Sequence, residues 1–375
     1  MNRWKVKTVL HIFSGDLWAG AEVVIFNLLK KLKDYPDLKI IALSLNEGVL
    51  TEKLRSTGIE IHVIPETTHS FLSIFLKTFN LLKGRRLDII HSHRYKENLL
   101  GLLLAKSIRV ERLISTIHGL SEPLLYGENE KTLDSWKTKM DYFILKSCFT
   151  EVISVSQEIK KVLIQKNCFK EKKINVIYNG IEIPESIHSI VQSSNQSANA
   201  HFHIGTVGRL VPVKDFDLFL KIAAAIKKKT ENIRFSILGD GPLREELIQK
   251  AIELGIGDSV EFLSPLTNPF PYYQSLDLYL NTSLHEGIPL SILEAMACRK
   301  PVVAPNVGGI PEIISHGENG VLIDRHKQKE FVYLCIKLIK DKELRTTMGE
   351  NAFKRISSYF SDSKMSASYW ELYQQ

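Results

Sequence analysis

"HFHIGTVGRLVPVKDFDLFLKIAAAIKKKTENIRFSILGDG", residues 201–241, carries the fold in one pass. "HFHIGTVGRL" is apolar and β-branched with no helical period, which predicts a strand. "FDLFLKIAAAIKKK" has apolar residues at helical spacing, and "IRFSILGDG" is again a strand. Strand, loop, helix and strand in this order, with strands this apolar, predict a parallel sheet covered on both faces. The alternation continues through the helix "PLREELIQKAIELG", the strands "SVEFLS" and "LDLYLNTS", and "KPVVAPN".

The first half has the same plan. "VKTVLHIF" is a strand and "AEVVIFNLLKKL" a helix, followed by "LKIIALSL", "LTEKLRSTG", "IEIHVIP", a further helix, "LDIIHSH", "RLISTIHG" and "EVISVS". Between the halves, "PESIHSIVQSSNQSANA" has no apolar period and is rich in Ser, Asn and Gln, as a linker is. The expectation is an α/β chain of two Rossmann-like domains with parallel sheets facing across a cleft. The N-terminal domain is expected over 1–185 with a closing C-terminal helix at about 360–375, the linker over 186–200, and the second domain over 201–359. Ligands of such sheets lie beyond the carboxyl ends of the strands, and the cleft is the default site.

The chain has 375 residues, 44% hydrophobic and 24% charged, an ordinary globular balance. No apolar run reaches the ~18 residues of a membrane span; "FLSIFLKTFNLL" comes nearest and is broken by Lys77. "MNRWKVKTVLHIF" lacks the small-residue cleavage site of a secretory signal. The cysteines, Cys148, Cys168, Cys298 and Cys335, form no CxxC pair and no zinc spacing. They are expected as reduced, buried or semi-buried thiols of a cytoplasmic protein. Residues 1–185 hold 28 Lys/Arg against 21 Asp/Glu, whereas the remainder holds 21 of each. The whole positive excess therefore lies in the first half. That asymmetry suits an anionic membrane surface or an anionic substrate. Nucleic acid is disfavoured, because no helix-turn-helix, finger or RNP pattern is present.

Four stretches carry chemistry. In "HEGIPLSILEAMACRKP", residues 285–301, Pro289 suits a helix start. The free N–H groups of that first turn make an anion site, and Gly287 permits close approach. Glu294 can lean back toward the bound group, and its carboxylate can accept vicinal hydroxyls, while Glu286 on the loop can grip another. The bland alternative is a solvated loop acid and a partnered structural acid. In "IGTVGRLVPVKD", Arg209 and Lys214 stand five apart across a turn and can converge on one diphosphate. In "HIFSGDLWAGAEVV", Gly15 and Gly20 flank a strand-to-helix loop that can face phosphate, although it is neither GxGxxG nor a P-loop. The last is a set of strand-end histidines, His91 and His93 with Arg94, and His118 before Gly119. His91 and His93 could ligate a metal by alternation, but no third ligand is evident, so structural or hydrogen-bonding roles are favoured.

In order and spacing, "VGRL…K", "ILGDGPLREEL", "EGIPLSILE" and "GGIPEII…GENGVLI" resemble the GT-B-fold, retaining glycosyltransferases of family 4, the group 1 glycosyltransferases. "GAE", "DIIHSH", "TIHG", "VISVS" and "VIYNGIE" extend the resemblance over the first half. It implies a hexosyltransferase that takes a nucleotide-sugar donor, UDP- in preference to GDP-, and serves a glycan or lipid-linked glycan acceptor in polysaccharide or surface-glycan synthesis. Arg209 and Lys214 would bind and stabilise the leaving diphosphate, Glu294 would hold the ribose, and Glu286 would contact the transferred sugar. The backbone at Gly287, Ile288, Pro289 and Leu290 would meet phosphates and sugar, with Gly208 beside Arg209 and Gly20 near the phosphate. His118 would touch the donor sugar or the reaction centre. The resemblance puts Asn179 and Gly180 near an interdomain hinge and implies no metal and no cofactor. Two departures stand out: Ala19-Gly20 after Trp18 replaces the usual glycine pair, and Pro265 stands near a usual glycine, with Leu266 beside the base. Trp18, His93, Arg94, Tyr95 and Lys96 are the acceptor-side candidates. A cytoplasmic location follows, with peripheral attachment at the inner membrane face as the reading of the charge asymmetry. The alternatives are a sugar-nucleotide epimerase of the same plan and a non-catalytic binding protein with a degenerate cleft. A dehydrogenase is disfavoured, because neither half carries the GxGxxG turn.

Overall fold

The computed structural model describes residues 6–16, 18–120, 133–185, 187 and 201–375. The chain divides into two compact units, Met1–Gly180 with Asp362–Gln375, and Ile181–Ser361. The division falls directly after Asn179 and Gly180. Of the expected linker over 186–200, all but Ile187 lies outside the described residues.

The first unit is a seven-stranded, wholly parallel sheet in the order β3-β2-β1-β4-β5-β6-β7. Its strands are β1 Lys7–Phe13, β2 Leu38–Ser44, β3 Glu60–Val63, β4 Ile89–Ser92, β5 Arg112–Ile117, β6 Glu151–Ser154 and β7 Ile174–Val176. The helices between them are α1 Gly20–Leu32, α2 Val49–Ser56, α3 Phe71–Leu82, α4 Tyr95–Ile108, α5 Leu133–Cys148 and α6 Gln157–Gln165. Strand side chains alternate between faces. Leu10, Ile12 and Ile90 join one apolar cluster with Ile74 of α3, Leu100 and Leu104 of α4, and Leu145 of α5. The strand residues of the other parity, His11 and His91 among them, are also buried.

The second unit is a six-stranded parallel sheet in the order β10-β9-β8-β11-β12-β13. Its strands are β8 Phe202–Val207, β9 Ile233–Leu238, β10 Val260–Leu263, β11 Leu278–Leu280, β12 Val302–Pro305 and β13 Val321–Ile323. Its helices are α7 Phe216–Lys227, α8 Arg244–Glu253, α9 Phe270–Ser275, α10 Leu290–Ala297, α11 Ile310–Ile313, α12 Gln328–Lys340 and α13 Lys342–Tyr359. The residues that predict the opening strand-helix-strand pattern, Ile204, Phe219, Ile222, Ile226 and Phe235, are all in its core.

The last helix, α14 Asp362–Gln374, returns to the first unit. Lys7 Nζ and Arg112 Nη1 donate to the Tyr373 carbonyl at 2.6 and 3.0 Å, and Arg112 Nη2 to that of Leu372 at 3.0 Å. Cations at the carbonyl end also complement the helix dipole. The Trp370 indole N–H donates to Asp37 at 2.9 Å. All four cysteines are free thiols, but Cys168 is exposed and corrects the expectation that all are at least semi-buried. Its backbone takes a left-handed turn (φ 55°) that ends α6 at the surface. Among the described residues, no helix is long and apolar enough to cross a membrane.

Candidate functional site

In an open parallel sheet the strand order reverses at one point, and the loops leaving the two strands there splay apart to form a ligand crevice. In the second unit that point lies between β8 and β11, so the crevice is flanked by residues 208–215 and 281–289. The two loops are stapled together: Leu284 N–H donates to Val213 C=O at 2.8 Å, and Thr282 Oγ1 to Lys214 C=O at 3.1 Å. This brings Lys214 Nζ to Glu286 Oε1 at 2.6 Å, and Ser283 Oγ donates to the same oxygen at 2.6 Å. Glu286 is therefore not a solvated loop acid; its side chain is only 10% exposed. Lys214 is tied to Glu286, and Arg209, expected to share an anion with it, is exposed and makes no side-chain hydrogen bond or ion pair among the described residues.

The helix after this loop begins at Leu290 with Pro289 as its N-cap, one position later than Pro289 at the first turn would give. The earliest bonds of that turn run from Ile292 and Leu293 to the Pro289 carbonyl, at 3.2 and 3.3 Å. The N–H groups ahead of them have no acceptor within the helix and point out of its positive end. Glu294 accepts a hydrogen bond from Tyr273 Oη at 2.8 Å, and burial pushes its carboxyl up to about 7. One neutral donor does not offset the desolvation of a carboxylate, so Glu294 retains capacity for further donors. Gly308 closes the crevice floor. Its φ is +54°, and a Cβ there would lie 2.0 Å from the Glu286 carbonyl oxygen, so only glycine fits. Gly208 lies against Lys214. Leu266, in the loop after β10, is 48% exposed.

In the first unit the order reverses between β1 and β4. The loop leaving β1 runs through Gly15, Trp18 and Gly20; that leaving β4 carries His93 to Lys96; that leaving β5 carries His118. A Cβ on Gly15 would lie 2.6 Å from Ser44 Oγ, so this glycine serves the fold. A Cβ on Gly20 would meet nothing within 4 Å, and no packing reason requires glycine there.

The register pairs His11 with His91 across β1 and β4. Alternation puts His91, His93, Thr116 and His118 on the same face, under α14. They form a single file of hydrogen bonds. Tyr369 Oη meets Thr116 Oγ1 at 3.0 Å, and Thr116 meets His91 Nε2 at 2.8 Å. His91 Nδ1 meets Tyr373 Oη at 2.6 Å, which meets His11 Nε2 at 3.2 Å. His11 Nδ1 meets His93 Nε2 at 3.3 Å, and His93 Nδ1 meets His118 Nε2 at 3.1 Å. The file ends at His118 Nδ1, which is buried and has no partner. Burial lowers all four histidines, His11 to about 3 and His118 to about 4, so they are neutral near pH 7. Each neutral ring carries one N–H and one lone pair. The His11–His93–His118 segment is then polarised in one direction, and that direction fixes whether His118 Nδ1 offers a proton or a lone pair.

The missing third partner of His91 and His93 is thus His11, whose ring nitrogen comes within 4.8 Å of theirs. The rings of His91 and His93 are stacked at 4.6 Å with 24° between planes, and each nitrogen already has a hydrogen-bond partner. Around them, Arg94 pairs with Glu22, whose Oε2 is buried and unpartnered. Lys96 Nζ reaches Glu66 at 2.6 Å, Glu66 is held by Asn46 at 3.1 Å, and Asn46 by Ser14 at 3.2 Å. Trp18 packs edge-on against Phe26 with Lys53 Nζ 5.1 Å above its ring. Tyr95 opens α4, half-buried.

Sequence reasoning missed Tyr273, Ser283, Gly308, Glu22, His11 and Tyr373. His11 left a signal as a polar residue mid-strand in "VLHIF", and Glu22 and Gly308 lie inside the quoted stretches "GAE" and "GGIPEII" although no role was read for them. Tyr273 and Tyr373 look like ordinary core aromatics in sequence.

Two family descriptions match the chain, Glycosyltransferase Family 4 over residues 18–184 and Glycosyl transferases group 1 over residues 191–355. A capsular polysaccharide biosynthesis glycosyltransferase, CapM of Staphylococcus aureus, is 26% identical over 315 residues, 80% of this chain and 81% of that protein. The Escherichia coli UDP-Gal:α-D-GlcNAc-diphosphoundecaprenol α-1,3-galactosyltransferase is 26% identical over 76% of this chain and 74% of its own length. Among solved structures, Anabaena HepE in complex with UDP-glucose superposes with a TM-score of 0.82 at 23% identity, covering 97% of this chain and 98% of that one. With the two descriptions spanning most of the sequence and the fold matched over nearly its whole length, the chain belongs to the group 1 glycosyltransferases of GT-B fold.

Proposed function

We propose that this glycosyltransferase moves a hexose, with retention, from a UDP-sugar, ahead of a GDP-sugar, to a glycan or lipid-linked glycan acceptor in polysaccharide or surface-glycan assembly. The carrying observation is the crevice of the second unit. Arg209 is exposed, Lys214 is poised on Glu286 at 2.6 Å, and the open first turn of α10 lies beside them. Arg209, Lys214 and those N–H groups receive the diphosphate, which is the negative charge that grows as the donor breaks. Lys214 then moves from Glu286 to phosphate, freeing Glu286 for a sugar hydroxyl. Glu294, with Tyr273 on one side, takes the ribose hydroxyls, and Leu266 flanks the base. With this much fixed positive charge, no metal and no other cofactor is needed.

The acceptor hydroxyl oxygen bonds to the anomeric carbon on the face that the diphosphate leaves. The carbon–oxygen bond to phosphate breaks with its electron pair, and the departing phosphate oxygen takes the acceptor's proton. Atoms and charge balance without a dedicated carboxylate base. His118 contacts the donor sugar or the reaction centre. The acceptor lies with Trp18, His93, Arg94, Tyr95 and Lys96, and the basic first half favours an anionic, lipid-linked one. Work at the cytoplasmic face of a membrane, by peripheral attachment, goes with that acceptor. The naming of UDP-sugars and of a diphosphoundecaprenol acceptor among similar proteins supports the same reading.

The test is thermal unfolding with UDP- and GDP-sugars, for wild type and Lys214→Ala. A donor at 100 times its dissociation constant adds about 2.7 kcal/mol. A shift with UDP-sugars that Lys214→Ala abolishes supports the assignment, and NMR of the product anomer checks retention. A shift that survives Lys214→Ala, or an inverted product, overturns it.

A further inference from the structure

The outward face of α3, α4 and α5 combines features that rarely coexist on a surface meant only for water. The helices lie side by side, α3 on α4 and α4 on α5. Leu72 and Leu76 of α3 are 64% and 49% exposed, and Trp136 and Phe143 of α5 are 62% and 64% exposed. Lys83, Lys106 and Lys139 are exposed on the same three-helix layer. Among the described side chains of the three helices, no exposed acid balances them. Helix α3 contains no Asp or Glu, Glu97 of α4 is 2% exposed, and Asp141 of α5 turns inward to accept from Asn98 at 2.8 Å. Helix α3 is apolar on both sides: Ile74 and Leu82 face the core while Leu72 and Leu76 face out. Lys77 and Asn80 are exposed on the same helix.

We propose that this α3–α4–α5 face docks on an anionic lipid bilayer. Leu72, Leu76, Trp136 and Phe143 enter the boundary between headgroups and acyl chains, where aromatic rings and leucines are favoured. The lysines lie level with lipid phosphates. A protein partner fits the face less well, because lysine is depleted from protein interfaces. A second copy would bring like charges together. Helix α4 begins at the acceptor-side candidates Arg94, Tyr95 and Lys96, so one helix links that side to the docking face. A lipid-linked acceptor would then be met where its lipid is anchored. The assignment rests on the peripheral-membrane part of the proposed function and not on its donor chemistry.

Vesicle flotation tests it, with phosphatidylcholine alone and with added phosphatidylglycerol. The protein should float only with the anionic vesicles, and less as salt rises. Each lysine near the surface contributes about five-fold in partitioning. The triple variant Lys83→Gln, Lys106→Gln, Lys139→Gln should therefore lose on the order of 100-fold. Wild-type fluorescence should shift to the blue on binding, and the shift should shrink in Trp136→Phe. These side chains are exposed, so the variants should fold, and circular dichroism with thermal unfolding in the absence of vesicles checks each one. Equal flotation with neutral vesicles, no flotation, or an unaffected triple variant overturns the proposal. A dimer in solution that Phe143→Ser dissolves would assign the face to a second copy and overturn it equally.

Discussion

Replacing Tyr373 with phenylalanine removes a single oxygen from beneath the first sheet. That hydroxyl bridges His91 Nδ1 at 2.6 Å and His11 Nε2 at 3.2 Å. Tyr373, His11 and His91 are all 0% exposed, so water cannot substitute without opening the core. Each buried polar group left without a partner costs about 1–3 kcal/mol. Two ring nitrogens are orphaned, and because the His11 and His91 rings are 4.7 Å apart they can recover part of the loss from each other. The expected destabilisation is about 2–4 kcal/mol. Tyr369→Phe removes only the terminal bond to Thr116 and should cost about 1 kcal/mol. Urea unfolding measures both, and nitrogen NMR of the histidines reads the tautomers. Among the described residues, Tyr373 is the hydrogen-bonded link between His91 and the His11–His93–His118 segment. Its loss should change the tautomer signals of His11, His93 and His118, and Tyr369→Phe should change them less. A cost below ~0.5 kcal/mol with unchanged histidine signals would show that the file is not a connected hydrogen-bonded unit.

Gly20→Ala should leave stability unchanged or raise it by up to about 1 kcal/mol, because a Cβ there meets nothing within 4 Å. Activity should fall, since the added methyl occupies the space expected for phosphate; an active Gly20→Ala protein would remove Gly20 from the donor site. Glu294 has its pKa raised from 4.5 to about 7 by burial. A raised carboxyl contributes stability below its unfolded pKa and loses it as pH climbs through the folded one. Glu294→Gln should therefore gain on wild type between pH 5 and pH 8, by about 3 kcal/mol at most, while losing donor affinity. A stability difference that is flat in pH would mean that Glu294 is already ionised at pH 5.

The sequence by itself determined what depends on neighbours along the chain. Strand and helix periods predicted two α/β units, and Pro289 marked the start of α10. Those features are local, because a helix start or a strand-to-helix loop needs only a few adjacent residues. The tertiary structure alone decided who partners whom. Lys214 faces Glu286 because β8 and β11 are neighbours although more than 70 residues separate them. Tyr273 reaches Glu294 from another helix. His11, His93 and Tyr373 meet only because β1 pairs with β4 and the final helix returns beneath them. Period two put His91 and His93 on one face, but a period carries no information about what lies across that face. Such pairings are set by sheet order and register, to which the linear pattern of hydrophobic residues is blind.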